Sequence, residues 1–155
     1  MAAPAVALSD AIVDDLNDSS RSWSQYFKAA RVYVPLWIGK VELADLQCLV
    51  APFPVVESET FTRTSSVEHY SIDFGFAKRL DKKTVTEIDN LLILVDSVVE
   101  RYVKTDFTVA NVGRFVPLRR TDEYITHDPS QLTASKQGSE QRYSGYFQSV
   151  FRIPY

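Results

Sequence analysis

Val67-Glu-His-Tyr-Ser-Ile-Asp-Phe-Gly-Phe-Ala77 is the stretch on which the fold turns. Tyr70, Ile72, Phe74 and Phe76 alternate with His69, Ser71, Asp73 and Gly75. A β-strand sends successive side chains to opposite faces, so this period of two predicts a strand with one strongly apolar face. A short way on, Thr84-Val-Thr-Glu87 has the form of a capping box, in which the threonine hydroxyl and the glutamate carboxylate each satisfy an orphan amide of a first helical turn. Val85, Ile88, Leu92, Val95, Val99 and Tyr102 then recur at spacings of three and four, which predicts one face of a long helix. An apolar strand running into an amphipathic helix implies a helix laid on a sheet.

On the N-terminal side of this unit, Leu46-Gln-Cys-Leu-Val-Ala51 is short, apolar and bounded by Asp45 and Pro52, as suits a strand buried on both faces. Pro52 and Pro54 limit its ladder, since proline has no amide hydrogen to donate. A strand is also expected from Tyr26 to Val34, stopped by Pro35. Leu8, Ile12 and Leu16 share a face at i, i+4, i+8, predicting a short helix with Ser9 as its N-cap. Asn17-Asp-Ser-Ser20 should end it, because these side chains compete for backbone hydrogen bonds.

On the C-terminal side, Val109 to Leu118 reads as a strand with a bend or bulge at Gly113. A polar stretch follows from Arg119 to Arg142, expected to be a mobile excursion that a partner orders. Tyr143 to Ile153 alternates again and predicts a final strand tied into the sheet. The order implies an α+β domain over residues 1–155, with a mostly antiparallel or mixed sheet of about four to five strands and one long and one short helix packed on it.

Composition narrows the function. With 45% hydrophobic and 24% charged residues in 155, the chain is globular in type and of ordinary one-domain size. Twenty Asp and Glu against 17 Lys and Arg argue against a general nucleic-acid binder, whose affinity rests on local positive charge. Cys48 is the only cysteine, so an intramolecular disulfide is impossible and a reducing compartment is expected. Residues 1–8 lack the basic start of a signal peptide, and the apolar run Leu91 to Val95 is far short of the roughly 20 residues that span a bilayer. No membrane partner is expected.

The chemistry-bearing residues form no recognisable centre. His69, His127 and Cys48 are too scattered in sequence for a zinc pattern, and no metal or other cofactor is expected. Cys48 reads as a small buried hydrophobe. Ser71, His69 and Asp73 alternate on a strand without the glycine-flanked elbow that presents a nucleophile, and no two glycines are close enough to cradle a phosphate. No catalytic residue is assigned. Arg114, Arg119 and Arg120, with Tyr124, form the densest basic cluster, offset by Asp122 and Glu123. Together with Ile125, Leu132, Tyr146 and Arg152, they are the candidate contacts to other subunits, by Arg–carboxylate pairing and apolar anchoring. Trp23, Tyr26, Phe27, Tyr143, Phe147 and Tyr155 exceed what one core obviously needs and point the same way.

The opening helix Leu8-Ser-Asp-Ala-Ile-Val-Asp-Asp-Leu-Asn17, the segment Leu46 to Pro54, the strand His69 to Phe76 leading into Leu80-Asp81, the long helix to Val103 and the closing strand together resemble tail terminator or tail completion proteins of long-tailed bacteriophages. The resemblance covers most of the chain and lies in hydrophobic pattern. It implies a structural virion protein of the head-to-tail joint, assembled in the host cytoplasm as a ring of usually six subunits. Such a ring caps the tail tube protein below, meets a connector or stopper protein above, and lets DNA pass through without specific binding. It carries no catalytic residues over. The alternatives are another neck component, such as a head-completion or connector-docking protein dominated by helices, and a small enzyme using His69, Asp73 and the arginines.

Overall fold

A computed structural model describes residues 3–33, 45–52, 57–60, 66–118 and 132–155. Its axis is β5 (Ser71–Thr84), which runs without a break into α2 (Val85–Tyr102). The junction is the expected capping box: the Thr84 amide donates to the Glu87 carboxylate at 2.8 Å, and the Glu87 amide donates to the Thr84 hydroxyl at 3.3 Å. Thr84 therefore ends the ladder and starts the helix in one residue.

Around β5 a five-stranded mixed sheet assembles in the order β1-β2-β5-β9-β8, from β1 (Lys28–Arg31), β2 (Gln47–Pro52), β9 (Glu140–Pro154) and β8 (Leu132–Gln137). The fold is α+β. β2, β9 and β8 join by antiparallel ladders, with Val50 opposite Phe74 and Phe74 opposite Phe151. β1 runs parallel to β2, Lys28 lying opposite Gln47, which makes the sheet mixed. A parallel neighbour needs a long return connection, and residues 32–46 supply the length. Two small hairpins complete the element list: β3 (Glu57–Thr60) with β4 (Ser66–His69), and β6 (Phe107–Val109) with β7 (Gly113–Phe115).

The expected strand from Val67 is thus divided at Tyr70, where the chain passes from β4 to β5. Tyr70 instead exchanges both backbone hydrogen bonds with Tyr155, at 2.9 and 2.6 Å. The strand expected over Val109–Leu118 is likewise the tight β6–β7 hairpin, turned through Asn111 at φ 61°. Strand β1 is shorter than expected, and the stop assigned to Pro35 lies outside the described residues.

Helix α1 (Pro4–Leu16) begins earlier than expected, with proline in its first turn, where its missing amide costs no hydrogen bond. Ser9 is consequently not a cap but an interior residue whose hydroxyl donates to the Ala5 carbonyl at 2.7 Å. Leu8, Ile12 and Leu16 face the core as the spacing predicts. Past the helix end, Asn17 clips α1 to β1: its side-chain amide donates to the Ala29 carbonyl at 3.0 Å and its oxygen accepts from the Ala29 amide at 2.9 Å.

The core lies between the helices and one face of the sheet. Ile72, Phe74 and Phe76 of β5 and Phe147, Phe151 and Ile153 of β9 are fully buried there, with Phe74 stacked on Phe151 at 4.7 Å between ring centres. Tyr102 reaches Phe74 at 5.5 Å, so α2 doubles back along β5. The buried face of α2 is Ile88, Leu91, Leu94, Val95, Val98 and Tyr102. This corrects the expected stripe. Val85 is exposed and Leu92 and Val99 are only half-buried, while Leu91, Leu94 and Val98 take the inward positions. Both sets fall within one helical face and share Ile88, Val95 and Tyr102, so periodicity alone cannot choose between stripes a fraction of a turn apart.

Beyond the core, β5 and β9 continue as a ribbon. A bulge between Leu80 and Lys83 shifts the register and puts Lys82 at φ 49°, and Ser144 steadies it by accepting from the Lys82 amide at 3.0 Å. β8 pairs with the start of β9 across a turn at Gly138, whose φ of 67° favours glycine. The excursion expected over 119–142 is therefore paired strand from Leu132 onward, and residues 119–131 of it lie outside the described residues. Backbone ladder bonds need no apolar side chains, which is why composition alone does not reveal this pairing.

Candidate functional site

The residues singled out in sequence do not converge. Arg114 sits exposed on β7, ion-paired with Asp106. Leu132 and Tyr146 are half-buried at the far end of the sheet, where Leu132 faces Gly145 and Tyr146 faces Arg79. Phe115, next to Arg114, packs on Tyr70 just before β5, so the length of β5 lies between the two groups. Arg119, Arg120, Tyr124 and Ile125 lie outside the described residues. Arg152 grips Asp73 across the β5–β9 ladder in a forked pair at 2.6 and 3.2 Å.

That pair also bears on the weak enzyme reading. The Asp73 carboxylate is bound by Arg152, and His69 stands on β4 opposite Glu57. Burial pushes the Cys48 thiol well above its ordinary range, so at neutral pH it stays protonated and unreactive. Among the described residues, no three His, Cys, Asp or Glu side chains are grouped to hold a metal ion, and no helix is long and apolar enough to cross a membrane.

The most heavily bonded polar group was not legible in sequence. Asp15 of α1 accepts from Arg101 at 3.0 and 3.1 Å, from the Tyr102 hydroxyl at 2.5 Å and from Arg21 Nε at 3.1 Å. Burial by itself would raise its carboxyl, but the bonds from Arg101, Tyr102 and Arg21 outweigh it and hold the group below the usual carboxylate range. The phenol of Tyr102 is pushed up, by burial first and then by its bond to Asp15. Asp15 thus joins the end of α1 to the end of α2. Three side chains donate four bonds to its two oxygens, which engages the carboxylate in holding the helix ends together, so the cluster is a structural tie.

The aromatic excess divides cleanly. Phe27, Phe147 and Tyr155 are core, while Trp23 donates its indole hydrogen to the Leu16 carbonyl at 3.2 Å and packs at the core's margin. Tyr26 and Tyr33 remain outside at 86% and 73% exposure, bracketing edge strand β1, with Arg31 stacked on the Tyr33 ring. At the opposite edge, residues 133–137 of β8 are all exposed. An open groove lies between, under the start of α2, lined by Gln25, Lys78, Leu80, Lys83, Glu87 and Asn90 among others. Among the described residues, the two outer strands of the sheet, two exposed aromatic rings and a polar groove lie at the surface.

No protein-family model matches the chain, and comparison with curated proteins finds no significant match.

Proposed function

We propose that this chain is a structural subunit that acts by binding other protein subunits, and specifically a ring-forming tail terminator of a long-tailed bacteriophage. The observation that carries the first part is β8. It is a strand of six residues with five exposed, paired among the described residues with β9. Ordering a residue costs about 1–2 kcal/mol of backbone entropy, and an outer strand whose side chains are exposed offsets that cost poorly. A partner that covers the ribbon would supply the missing burial.

The second part rests on the resemblance in the order of elements. The α+β architecture is compatible with it, and a chain with two helices on a five-stranded sheet suits a terminator better than a helix-dominated neck component. The ring, a hexamer in this reading, contacts the tail tube protein and a connector or stopper protein in the virion, and DNA passes its lumen without sequence recognition.

The decisive experiment mixes the purified protein with polymerising tail tube protein from the same source. Mass measurement should give a closed ring, and electron microscopy should show tubes capped at one end and arrested in length. Tubes that grow uncapped to indefinite length would overturn the terminator reading.

A further inference from the structure

The outward face of α2 is an unpartnered surface of distinct character. Val85, Asp89, Ile93, Asp96 and Glu100 are spaced four, four, three and four apart, which aligns them along one exposed side of α2, and Ile93 also borders the groove lined by Lys78 and Leu80. Ile93 is 56% and Val85 47% exposed, an apolar pair set among carboxylates. Asp89 and Asp96 have no cationic partner among the described residues, and Glu100 meets only the exposed Lys104.

The ribbon end of the sheet has the opposite charge. Lys82, Lys83, Lys136 and Arg142 gather there against Asp81 and Glu140. Arg142 is matched by Glu140 at 2.7 Å and Lys83 by Glu87 at 3.9 Å, whereas Lys82 and Lys136 have no carboxylate partner among the described residues. In a chain with a net charge of -3, this is a local reversal of sign.

We infer that the basic β8–β9 ribbon of one copy docks on the acidic outward face of α2 in a second copy, seating on Ile93 between Asp89 and Asp96. The contact joins two different patches, so it is head-to-tail, and repetition closes into a ring when the rotation between copies allows. Unlike charges facing each other set the register, and the apolar pair supplies area to bury. The inference deepens the ring reading above and rests on it for the identity of the second copy.

Charge reversal tests it on the full chain. One variant carries Asp89→Lys and Asp96→Lys, and the other carries Lys82→Glu and Lys136→Glu; thermal unfolding checks that both remain folded, as substitutions at exposed sites should leave them. Light scattering should show the wild type associating, more weakly as salt shortens the Debye length from about 30 to about 8 Å. Each variant alone should associate at least about tenfold more weakly, a difference of about 1.4 kcal/mol, and an equimolar mixture should regain association because every contact is again between opposite charges. Ile93→Asp should weaken the wild type in the same way.

Variants that associate as the wild type does, or a mixture that regains nothing, would overturn the docking pair. So would a wild type that stays monomeric at low salt and high concentration. Tube capping separates the two readings: capping by rings indifferent to charge reversal would sink this interface and leave the terminator intact. Charge-dependent rings that cap nothing would keep the interface and sink the terminator.

Discussion

Residues 72–77 of β5 and residues 133–137 of β8 are both paired strand, yet every member of the first set is buried and every member of the second is exposed. The first set is held by side chains. Phe74 and Phe76 lie under the helices with Phe151, where burial of an aromatic ring is worth about 1.5–3 kcal/mol in transfer free energy alone. The second set is held by the ladder to β9 and the glycine turn, whose net contribution per hydrogen bond is about 0.5–1.5 kcal/mol. One sheet therefore contains a region that stabilises the fold and a region that stabilises little.

The sharpest break in this comparison is Phe74→Ala, which empties a fully buried site between Phe151 and Tyr102 and should cost about 3–5 kcal/mol in denaturant unfolding. A loss below about 1 kcal/mol would mean the core lies elsewhere. Leu94→Ala should cost about 2–5 kcal/mol, and Leu92→Ala distinctly less, because Leu94 is fully buried and Leu92 only half so. The reverse order would restore the helix face expected from periodicity.

Asp15→Asn should cost about 1–3 kcal/mol, since it leaves Arg21, Arg101 and Tyr102 facing a neutral group in a partly buried place. Its pH dependence is specific. The Asp15 carboxyl titrates below its ordinary 3.8 in the fold, so its stabilisation is fully present above that value and is lost as pH falls toward the folded value. Wild type and variant should converge in stability on the acid side of 3.8 and separate above it. A constant gap between them at all pH would assign the loss to packing instead.

Thr84→Ala removes one half of the capping box and should cost about 1 kcal/mol, read from the same unfolding curves. Smallest of all, Thr133→Ala or Lys136→Ala in β8 should change stability by less than about 0.5 kcal/mol in the isolated chain. The amides of 132–137 should also exchange with solvent far faster than those of 72–77, by local opening of the ribbon. Equal protection in the two strands would erase the distinction between them.

What the sequence determined by itself is what neighbours in the chain decide. The alternation around Phe74, the Thr84–Glu87 cap, the face Leu8–Ile12–Leu16 and the burial of Cys48 are all local signals, and each is found in place. The α+β class follows from their order. Only the tertiary structure decided which side of α2 faces inward, that β1 lies parallel to β2, and that polar residues 132–137 form an edge strand. It alone brought Arg101 to Asp15, which are 86 positions apart. It also separated Arg114 from Leu132 and Tyr146 along the length of β5, so the candidate contacts read from composition do not make one site. The reason is physical: helical and strand periods fix which residues share a face, whereas the pairing of faces and charges depends on how the whole chain minimises exposed apolar area at once.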